Sequence, residues 1–380
     1  MGPVIHCRMC LWPVEPVLTL SNTPIANSFS NEPNQFAMRY PLGLTQCTYC
    51  DHVQIGYNID GEQLFADYRY QTPQAERTRL AALAADYAVK YPNALRDKTT
   101  SNSKTQEMPR VLEIGSNNGI FVDELCKAGF WAVGVDPSPY APKTGMPKWF
   151  TSKTARQIAW SMGKMKLIVS NNVFAHVDDL RNVMLGVKYC LADDGHLVFE
   201  VQYLPDLIRG GMFDMIYHEH KDYHTLAPWP RLLKKFGMCI KEVEHIPNHG
   251  GSIRVHAAFG ENGIEVSDPE IDWTDVQKRV DSHREKLLAE LNGYKKVAAF
   301  GATAKATTLL HHCGLTDRIS YVIDETPSKI GCYVPGTNIP IHGFEHIEKD
   351  KPDAVLLTAW NYADVIAPRL GGIKTVVPFK

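Results

Sequence analysis

The 380-residue sequence lacks three features by which large classes of proteins can be identified. Its net charge is only −2, so it lacks the basic excess that favours binding to nucleic acid, and we expect no nucleic-acid partner. It has no uninterrupted apolar run of about 18 residues, so we expect no membrane span. It also lacks a basic stretch followed by an apolar one at its start, which predicts a cytoplasmic protein without a secretory signal.

Cysteine is present, but not in the pattern of a disulfide framework. There are nine cysteines, an odd number, and four of them form the pairs Cys7-x-x-Cys10 and Cys47-x-x-Cys50. Two such pairs can give one Zn²⁺ the four thiolates of a closed tetrahedral shell, which is structural because no position is left for water or substrate. The open alternatives are a redox-active pair and the replacement of one thiolate by a histidine beside the pairs.

The length and the pattern of the chain predict an α/β protein of three parts. Residues 1–70 are short segments interrupted by Pro and Asn, and we expect them to form a zinc-binding module. Residues 71–260 alternate strands and helices, as in a Rossmann-like domain, and residues 261–380 repeat this alternation as a second, C-terminal Rossmann-like domain. A helix is expected between them, with Thr274 and Gln277 as a capping box. The predicted strands are Val111–Ile114, Trp131–Val135, Leu167–Ser170, His196–Val201, Ser252–Phe259, Val297–Phe300, Ile319–Ile323 and Ala354–Leu357.

A glycine-containing turn follows the first of these strands. Glu113, Gly115 and Gly119 form the pattern E-x-G-x-x-x-G, and Asp136 ends the next strand, where a carboxylate can accept both hydroxyls of a ribose. The dinucleotide pattern G-x-G-x-x-G is absent because position 117 is Asn. The turn resembles motif I of the S-adenosylmethionine-dependent methyltransferases; the alternative is an ordinary strand-to-helix turn. The expected cofactor contacts are Glu113, Gly115, Ser116, Asn117, Gly119, Asp136 and Asn171.

The segment Tyr217–His220 concentrates groups that can transfer protons. It contains a phenol, a carboxylate and two imidazoles. Histidine titrates near neutral pH and is the usual general base, and a neighbouring glutamate can orient it. The alternatives are a polar surface loop, and a metal site built on His218 and His220.

Two further positions are candidates because they follow predicted strands. His176 comes after Leu167–Ser170, and ligands of open α/β sheets bind outside the carboxyl ends of the strands, so we expect it near the cofactor unless it is a surface histidine. The turn from Gly301 to Lys305 can bind a phosphate through helix N–H groups and the lysine; plain packing of the turn is the alternative.

The order of short motifs along nearly the whole chain resembles the sugar C-methyltransferases that build branched deoxysugars on nucleotide carriers. The resemblance is carried by the two cysteine pairs and by further stretches. These stretches are Asn22–Phe29, Tyr40–Leu42, Tyr68–Tyr70, Ala175–Val177, Tyr217–His220, His249–Ser252, Arg254, Gly301–Lys305, Asp324, Lys329–Gly331, Pro335–Gly336 and Ala359–Asn361.

This resemblance implies a reaction and roles for residues. The cofactor is S-adenosylmethionine, and the substrate is a nucleotide-linked 4-ketosugar, with dTDP as the expected nucleotide. The methyl group is added beside the ketone, at C3 in most members and at C5 in some, and the enzyme is a monomer. His220 is the expected base, with Tyr217 as the alternative, and Glu219 orients His220. Tyr217 and His176 polarise the keto oxygen or hold the sugar, and Tyr70 closes the pocket. The nucleotide sugar contacts Gly301, Lys305, Asp324, Lys329, Trp360 and Asn361.

The sequence departs from the family pattern at two places. Lys166 begins a strand where many methyltransferases have an acid, and Gln71-Thr72 follows the aromatic motif where small serines are usual. An O- or N-methyltransferase acting on another small molecule is therefore kept as an alternative function. A zinc-ribbon methyltransferase acting on RNA is disfavoured by the near-neutral charge.

Overall fold

The structure, a computed structural model, describes residues 2–65, 71–95, 110–142 and 145–379. They form four β-sheets and a set of helices that divide into an N-terminal, a central and a C-terminal unit. Tyr70, which the sequence places in the active site, lies outside the described residues. Within those residues no helix combines the length and the hydrophobicity needed to cross a membrane.

The N-terminal unit is built on an antiparallel sheet that takes its outermost strand from the middle of the chain. The strand order is β10-β4-β3-β2, and Leu18 and Leu20 of β2 pack with Leu42 and Leu44 of β3 because alternate side chains of a strand face the same side. β10 begins two residues after the predicted catalytic cluster Tyr217–His220, which is thereby attached to this sheet. The elements are β1 (Gly2–Pro3), β2 (Val14–Thr23), β3 (Tyr40–Cys47), β4 (Val53–Ile55), β5 (Tyr57–Asn58), α1 (Gly61–Leu64) and β10 (Asp222–Tyr223).

The central unit is a six-stranded sheet covered by helices on both faces. Its order is β11-β12-β9-β8-β6-β7, with β9, β8, β6 and β7 parallel and β12 antiparallel to both of its neighbours, β9 and β11. Leu80 and Tyr87 cover one face, and Ile158, Val183 and Trp229 cover the other. The elements are α2 (Arg77–Lys90), β6 (Val111–Ile114), α3 (Ile120–Lys127), β7 (Ala132–Val135), α4 (Ser152–Met162), β8 (Met165–Asn171), α5 (Leu180–Cys190), β9 (Leu191–Gln202), α6 (Leu204–Arg209), α7 (Pro228–Lys234), β11 (Met238–Ile246) and β12 (Ser252–Phe259).

The C-terminal unit is a five-stranded parallel sheet in the order β15-β14-β13-β16-β17. Its central strands are buried on both faces, which is why they read as continuous apolar runs in the sequence. The elements are α8 (Trp273–Asn292), β13 (Val297–Phe300), α9 (Ala304–His312), β14 (Ile319–Ile323), β15 (Ile341–His342), α10 (Glu345–Asp350), β16 (Ala354–Leu357), α11 (Ala363–Ile366) and β17 (Lys374–Val376).

The start of α8 differs from the expectation. The helix is capped by Asp272, whose carboxylate accepts the N–H groups of Thr274 and Asp275, each at 3.0 Å. A carboxylate also interacts favourably with the positive end of the helix dipole, and it displaces the expected capping box of Thr274 and Gln277. The amide of Gln277 instead pairs with the backbone of Thr19, accepting its N–H at 2.9 Å and donating to its carbonyl at 3.2 Å. Gln277 thus covers the edge of β2.

Candidate active site

The four predicted zinc ligands come together. The Sγ atoms of Cys7, Cys10, Cys47 and Cys50 all lie within 4.8 Å of one another, with 3.6 Å between Cys7 and Cys50 and 3.4 Å between Cys10 and Cys47. These separations are far too long for a disulfide, which is about 2.05 Å. They fit four thiolates around one ion at Zn–S distances of about 2.3 Å. His52 is not part of this cluster, and its Nε2 is hydrogen-bonded to the carboxylate of Asp222 in β10.

The two cysteine pairs have the same backbone conformation. Leu11 and Asp51, the residues after each pair, have φ of 69° and 59°, which are left-handed values. In each turn the second cysteine donates its N–H to the Sγ of the first, at 3.4 Å. Backbone N–H groups aimed at sulfur stabilise a thiolate, so the turns fit a cation at their centre.

The predicted cofactor turn is shaped by glycine and by Asp136. Gly115 has φ of 75°, and a Cβ there would lie 2.2 Å from the side chain of Val173, so a larger residue would not fit. The two carboxylate oxygens of Asp136 accept the N–H groups of Asn117 at 2.9 Å and Ser138 at 2.7 Å. Asp136 therefore fixes the turn and keeps one acceptor lone pair on each oxygen for a ligand.

Buried polar atoms around this turn fit a polar ligand. Among the described residues, Oε2 of Glu113, Oγ of Ser116 and both amide atoms of Asn171 are buried and have no hydrogen-bond partner. Burial, with a further contribution from Asp136, raises the pKa of Glu113 well above its ordinary value. Unpaired buried polar atoms are costly, so a ligand that pairs with them is favoured here. Gly119, with φ of 79°, completes the turn.

The two departures from the family pattern have different places in the structure. The carbonyl and N–H of Thr72 are held by the turn: Asn117 Oδ1 accepts its N–H at 3.0 Å, and Asn118 Nδ2 donates to its carbonyl at 2.9 Å. Lys166 lies at the amino end of β8, where it pairs with Asp194. Because the cofactor turn lies at the carboxyl ends of the parallel strands, Lys166 is remote from it.

His220 and Tyr217 form a hydrogen-bonded pair. Nε2 of His220 lies 2.7 Å from the phenol oxygen of Tyr217, and its Nδ1 lies 3.0 Å from the carbonyl of Met215. A carbonyl can only accept, so Nδ1 carries the proton and Nε2 of the neutral ring accepts the phenol O–H. Burial, and next the neighbouring His176, lowers the pKa of His220 well below its ordinary value. The pair is therefore a neutral imidazole whose basic nitrogen accepts a hydrogen bond from the phenol.

His176 lies beside this pair. Its ring centroid is 4.8 Å from that of His220, and its Nδ1 donates to the carbonyl of Glu219 at 2.9 Å. Burial lowers the pKa of His176 to about 4, so the ring is neutral at pH 7 and its Nε2 is an acceptor. In this tautomer, Nε2 can accept a hydrogen bond from a sugar hydroxyl, but it cannot donate one to a ketone. Of the two expected roles of His176, holding the sugar fits the structure and polarising the ketone does not.

Glu219 has a different partner from the one expected. The sequence suggests that it orients His220, but the nitrogens of His220 are held by Met215 and Tyr217. Oε1 of Glu219 accepts a hydrogen bond from Nδ2 of Asn27 at 2.7 Å. Burial raises the pKa of Glu219 to about 7, and the bond from Asn27 opposes this rise.

The stretch of residues 214–223, which we name the catalytic segment, is held by all three units. From the C-terminal unit, Trp360 Nε1 donates to Oδ2 of Asp214, and Thr308 donates to the carbonyl of Ile216, both at 2.7 Å. From the N-terminal unit, Pro41 and Asn27 bond to the side chains of the segment, and β4 pairs with β10. From the central unit, the carbonyl of Ala175 accepts the N–H of Lys221 at 2.6 Å.

The predicted substrate residues of the C-terminal unit fall into two groups. In the first, Lys305 Nζ donates to Asn361 Oδ1 at 2.6 Å and lies 3.7 Å from the ring centroid of Trp360, which in turn reaches Asp214. Burial, opposed by the nearby Asp214, lowers the pKa of Lys305 to about 8. This group is joined to the catalytic segment.

The second group shapes the turn after β13. Asp324 accepts the N–H of Ala302 at 2.8 Å, and Lys329 Nζ donates to the carbonyl of Ala302, also at 2.8 Å. Gly301 has φ of 106°, and a Cβ there would lie 2.6 Å from that of Ala359. Asp324 therefore supports this turn as Asp136 supports the first one.

Sequence reasoning missed several residues that belong to the catalytic segment or bind to it. Asn27 lies in one of the stretches that resemble the family, but no pattern assigned it a role. Asp214, Met215 and Thr308 give no signal, because their contribution is a contact between distant segments or a backbone carbonyl.

Comparisons with known proteins agree with this architecture. Three domain descriptions match consecutive parts of the chain: a zinc binding domain over residues 7–65, a methyltransferase domain over 87–247 and a C-methyltransferase C-terminal domain over 247–376. The chain is 30% identical to the C-methyltransferase NovU of Streptomyces niveus over 396 aligned positions, which cover 96% of this chain and 91% of NovU. The chain belongs to this family of C-methyltransferases.

Membership confirms the expected fold class, with a zinc-binding module, a Rossmann-like methyltransferase domain and a C-terminal α/β unit. It also confirms the expected cofactors, S-adenosylmethionine and zinc, the latter at the four-cysteine cluster. Solved structures are similar to parts of the C-methyltransferase chain. A magnesium protoporphyrin IX methyltransferase (ChlM) from Synechocystis with bound S-adenosylmethionine has 14% identity and a TM-score of 0.35, covering 53% of this chain and 98% of its own. An S-adenosylmethionine-dependent methyltransferase from Anabaena variabilis has 10% identity and a TM-score of 0.37, covering 53% and 92%.

Proposed function

We propose that this C-methyltransferase adds a methyl group to the carbon beside the C4 ketone, at C3, of a dTDP-linked 4-keto-deoxysugar. The observation that carries the proposal is the buried Tyr217–His220 pair, with its 2.7 Å hydrogen bond and neutral imidazole. Methylation of a carbon requires removal of a C–H proton, and a base is arranged here for that step. From the family resemblance alone, we also propose that the enzyme is a monomer.

The cofactor site would be formed by the turn after β6. Glu113, Gly115, Ser116, Asn117, Gly119, Asp136 and Asn171 are the residues that would hold S-adenosylmethionine. When bound, the cofactor supplies an electrophilic methyl group on a sulfonium centre. The protein supplies the shape of the turn, through the contacts of Asp136 with two N–H groups, and the unpaired polar atoms that a bound molecule would satisfy.

His220 is the final acceptor of the α-proton in this proposal. The phenol oxygen of Tyr217 occupies Nε2 of His220, so the proton can reach the imidazole in two ways. Tyr217 can take the substrate proton while passing its own to His220, or it can turn away and leave Nε2 free. In both cases a C–H bond breaks, an N–H bond forms and the substrate is left as an enolate. Met215 holds Nδ1–H throughout, so the basic nitrogen keeps its direction.

His176 and Glu219 would hold the sugar hydroxyls beside the reacting carbon. Nε2 of neutral His176 accepts a hydrogen bond, and the Glu219 carboxylate, fixed through one oxygen by Asn27, accepts or donates depending on its protonation. Tyr70 completes the pocket in the proposal. Placement of the sugar brings the acidic C–H bond to the basic pair, which is where positioning contributes most to the rate.

The nucleotide would lie against the C-terminal unit. The buried Lys305 forms a connected group with Trp360 and the exposed Asn361 next to the catalytic segment, and Gly301, Asp324 and Lys329 shape the neighbouring turn. An ammonium group over an indole ring suits an anionic ligand that also offers a flat base.

The proposal is tested by proton exchange without methyl transfer. The enzyme is incubated in D₂O with a dTDP-linked 4-keto-6-deoxysugar and S-adenosylhomocysteine, and the C3–H signal is followed by NMR. Exchange that depends on the enzyme supports the proposal, and exchange at C5 moves the methylated position there. Methylation of an oxygen or nitrogen acceptor, with no carbon-bound proton exchanged, would instead favour an O- or N-methyltransferase.

A further inference from the structure

One arginine connects the zinc-binding turn with both segments that carry the candidate catalytic histidines. We propose that Arg8, which lies between the zinc-binding Cys7 and Cys10, is a positioning residue that sets the relative placement of His176 and His220. The proposal rests on the function proposed for these two histidines. Arg8 itself touches neither substrate nor cofactor in it.

The first set of contacts is with the end of the catalytic segment. Nε of Arg8 donates to Oδ1 of Asp222 at 2.9 Å, and Nε2 of His52 approaches the same oxygen at 2.8 Å. The side chain of Asp222 is fully buried, and this residue begins β10 two positions after His220. Each cysteine turn therefore contributes one donor to a single buried carboxylate.

The second set of contacts is with the turn that follows His176. Nη2 of Arg8 donates to the carbonyl of Asp178 at 2.9 Å and also to that of Val177. The backbone N–H of Arg8 is fixed by Oε1 of Gln54 at 2.8 Å, within the sheet of the N-terminal unit. The backbone of Arg8 is therefore held in the N-terminal unit, while its guanidinium bridges the carboxylate of Asp222 and the backbone that follows His176.

The two stretches also contact each other directly. Nδ1 of His176 donates to the carbonyl of Glu219 at 2.9 Å, and the ammonium group of Lys221 pairs with the carboxylate of Asp178. The carbonyl of Ala175 accepts the N–H groups of Lys221 at 2.6 Å and Asp222 at 3.3 Å, the latter a long hydrogen bond. The planar guanidinium offers donors in fixed directions, which a lysine ammonium cannot reproduce. Arg8 adds to these contacts a link of fixed direction, and in the proposal the separation of 4.8 Å between the rings of His176 and His220 depends on that link.

The chain provides a matched control in Arg231. This residue of α7 also links the central unit to a cysteine turn, since its Nη1 donates to the carbonyl of Tyr49 at 2.7 Å and its guanidinium lies 4.7 Å from the Tyr49 ring centroid. Tyr49 stands between Cys47 and Cys50. A general loosening of the zinc-binding module would affect both arginine variants, whereas the proposed positioning concerns Arg8 alone.

The experiment compares Arg8→Lys, Arg8→Met and Arg231→Met in the full-length zinc-loaded protein. Zinc content, S-adenosylhomocysteine affinity by calorimetry, kcat and KM, and the ring signals of ¹³C-labelled histidines are measured. His176→Gln and His220→Asn assign the two ring signals. If Arg8→Met does not fold, Arg8→Lys carries the comparison, since it leaves a cation beside the buried Asp222.

The proposal expects one zinc per chain and unchanged S-adenosylhomocysteine affinity in Arg8→Lys. It expects kcat to fall about 10- to 100-fold with KM nearly constant, since a small misplacement of catalytic groups has an effect of this size. It also expects the signals of His176 and His220 to shift in the Arg8 variants and not in Arg231→Met. Unchanged ring signals and kcat in Arg8→Lys would overturn it, and so would loss of zinc together with activity. The NMR result holds independently of the substrate, so failure of the wild type to act on any nucleotide ketosugar would count against the proposed function alone.

Discussion

The phenol oxygen of Tyr217 lies 2.7 Å from Nε2 of His220, and this hydrogen bond occupies the basic nitrogen of the proposed catalytic base. Because Nδ1 of the same ring donates to Met215, the imidazole has a single basic position, and Tyr217 occupies it. In the proposed mechanism, removal of a substrate proton therefore involves both side chains, whichever of them meets the carbon first.

We expect His220→Asn to reduce turnover by about 10²–10⁴-fold, the usual contribution of a general base. Enzyme-dependent exchange of the α-proton should vanish, while S-adenosylhomocysteine affinity stays the same. Tyr217→Phe should retain slow exchange if His220 can reach the carbon itself, and should lose exchange if the phenol is an obligatory relay. Tyr189→Phe, which removes a hydroxyl that contacts Arg156 away from the site, serves as the control. Parent rates in both active-site variants would exclude this pair as the catalytic group.

We expect Asp136→Ala to weaken S-adenosylmethionine binding by about 1–3 kcal/mol. The variant loses the charge-assisted bonds to the ligand and also the two bonds that shape the turn through Asn117 and Ser138. Calorimetric titration measures the change, with Asp193→Ala, at an exposed carboxylate, as the control. Equal affinities for the Asp136 variant and the parent would remove Asp136 from the cofactor site.

We expect Glu219 to make the fold less stable as the pH rises. Burial raises its pKa to about 7, against 4.5 for an ordinary glutamate, so between these values the native state binds more protons than the unfolded state. The free energy of unfolding contributed by this group therefore falls as the pH increases from about 4.5 to 7. Glu219→Gln lacks the effect, and its stability relative to the parent should improve by on the order of 3 kcal/mol between pH 5 and pH 8. Urea unfolding at both pH values measures this, with the exposed Glu261→Gln as control; a constant difference would contradict the prediction.

We expect Lys305→Met to weaken binding of dTDP by about 1.5–3 kcal/mol, which is the usual contribution of a charged hydrogen bond. Lys305 is only 8% exposed and its ammonium group is held over Trp360, so a mobile surface lysine is not expected to take its place when it is removed. Titration with dTDP measures the loss, while S-adenosylhomocysteine affinity should be unaffected. The control is Lys278→Met, at an exposed position of α8. Undiminished dTDP binding would move the nucleotide away from this group.

We expect one zinc per chain, with no part in the chemical step. The four thiolates leave no open position on the ion, so replacement of zinc by Cd²⁺ should preserve turnover. Titration with an organomercurial should modify the exposed Cys126 before zinc is released, and Cys126→Ser should keep the full metal content. Metal-free protein, or turnover that follows the identity of the ion, would contradict the assignment.

The local features of this fold could be predicted because they have local causes. The strands Val297–Phe300, Ile319–Ile323 and Ala354–Leu357 have the expected bounds, since short apolar runs between turns have few other ways to be buried. The glycine turn and the cysteine pairs were also identifiable, because backbone shape and metal chemistry restrict the residue types at those positions.

The contacts that define the site could not be predicted in the same way. The tautomers of His176 and His220 are set by the backbone carbonyls of Glu219 and Met215. Because every residue has a carbonyl, no residue type in the sequence marks these two positions. The partner of Glu219 is Asn27, far away in the sequence, and periodicity within a segment says nothing about which other segment will cover it.

The catalytic segment, which is bonded to all three units, also sets a limit on how relatives of this enzyme can be recombined. An exchange of whole units at their borders would separate Asp214 from Trp360 and Glu219 from Asn27, even with each unit intact. A hybrid enzyme with a new substrate range would have to take both residues of each pair from the same parent. What can be transferred between relatives is therefore a set of contacting residues spread over the sequence. No continuous stretch of the chain contains the whole candidate active site.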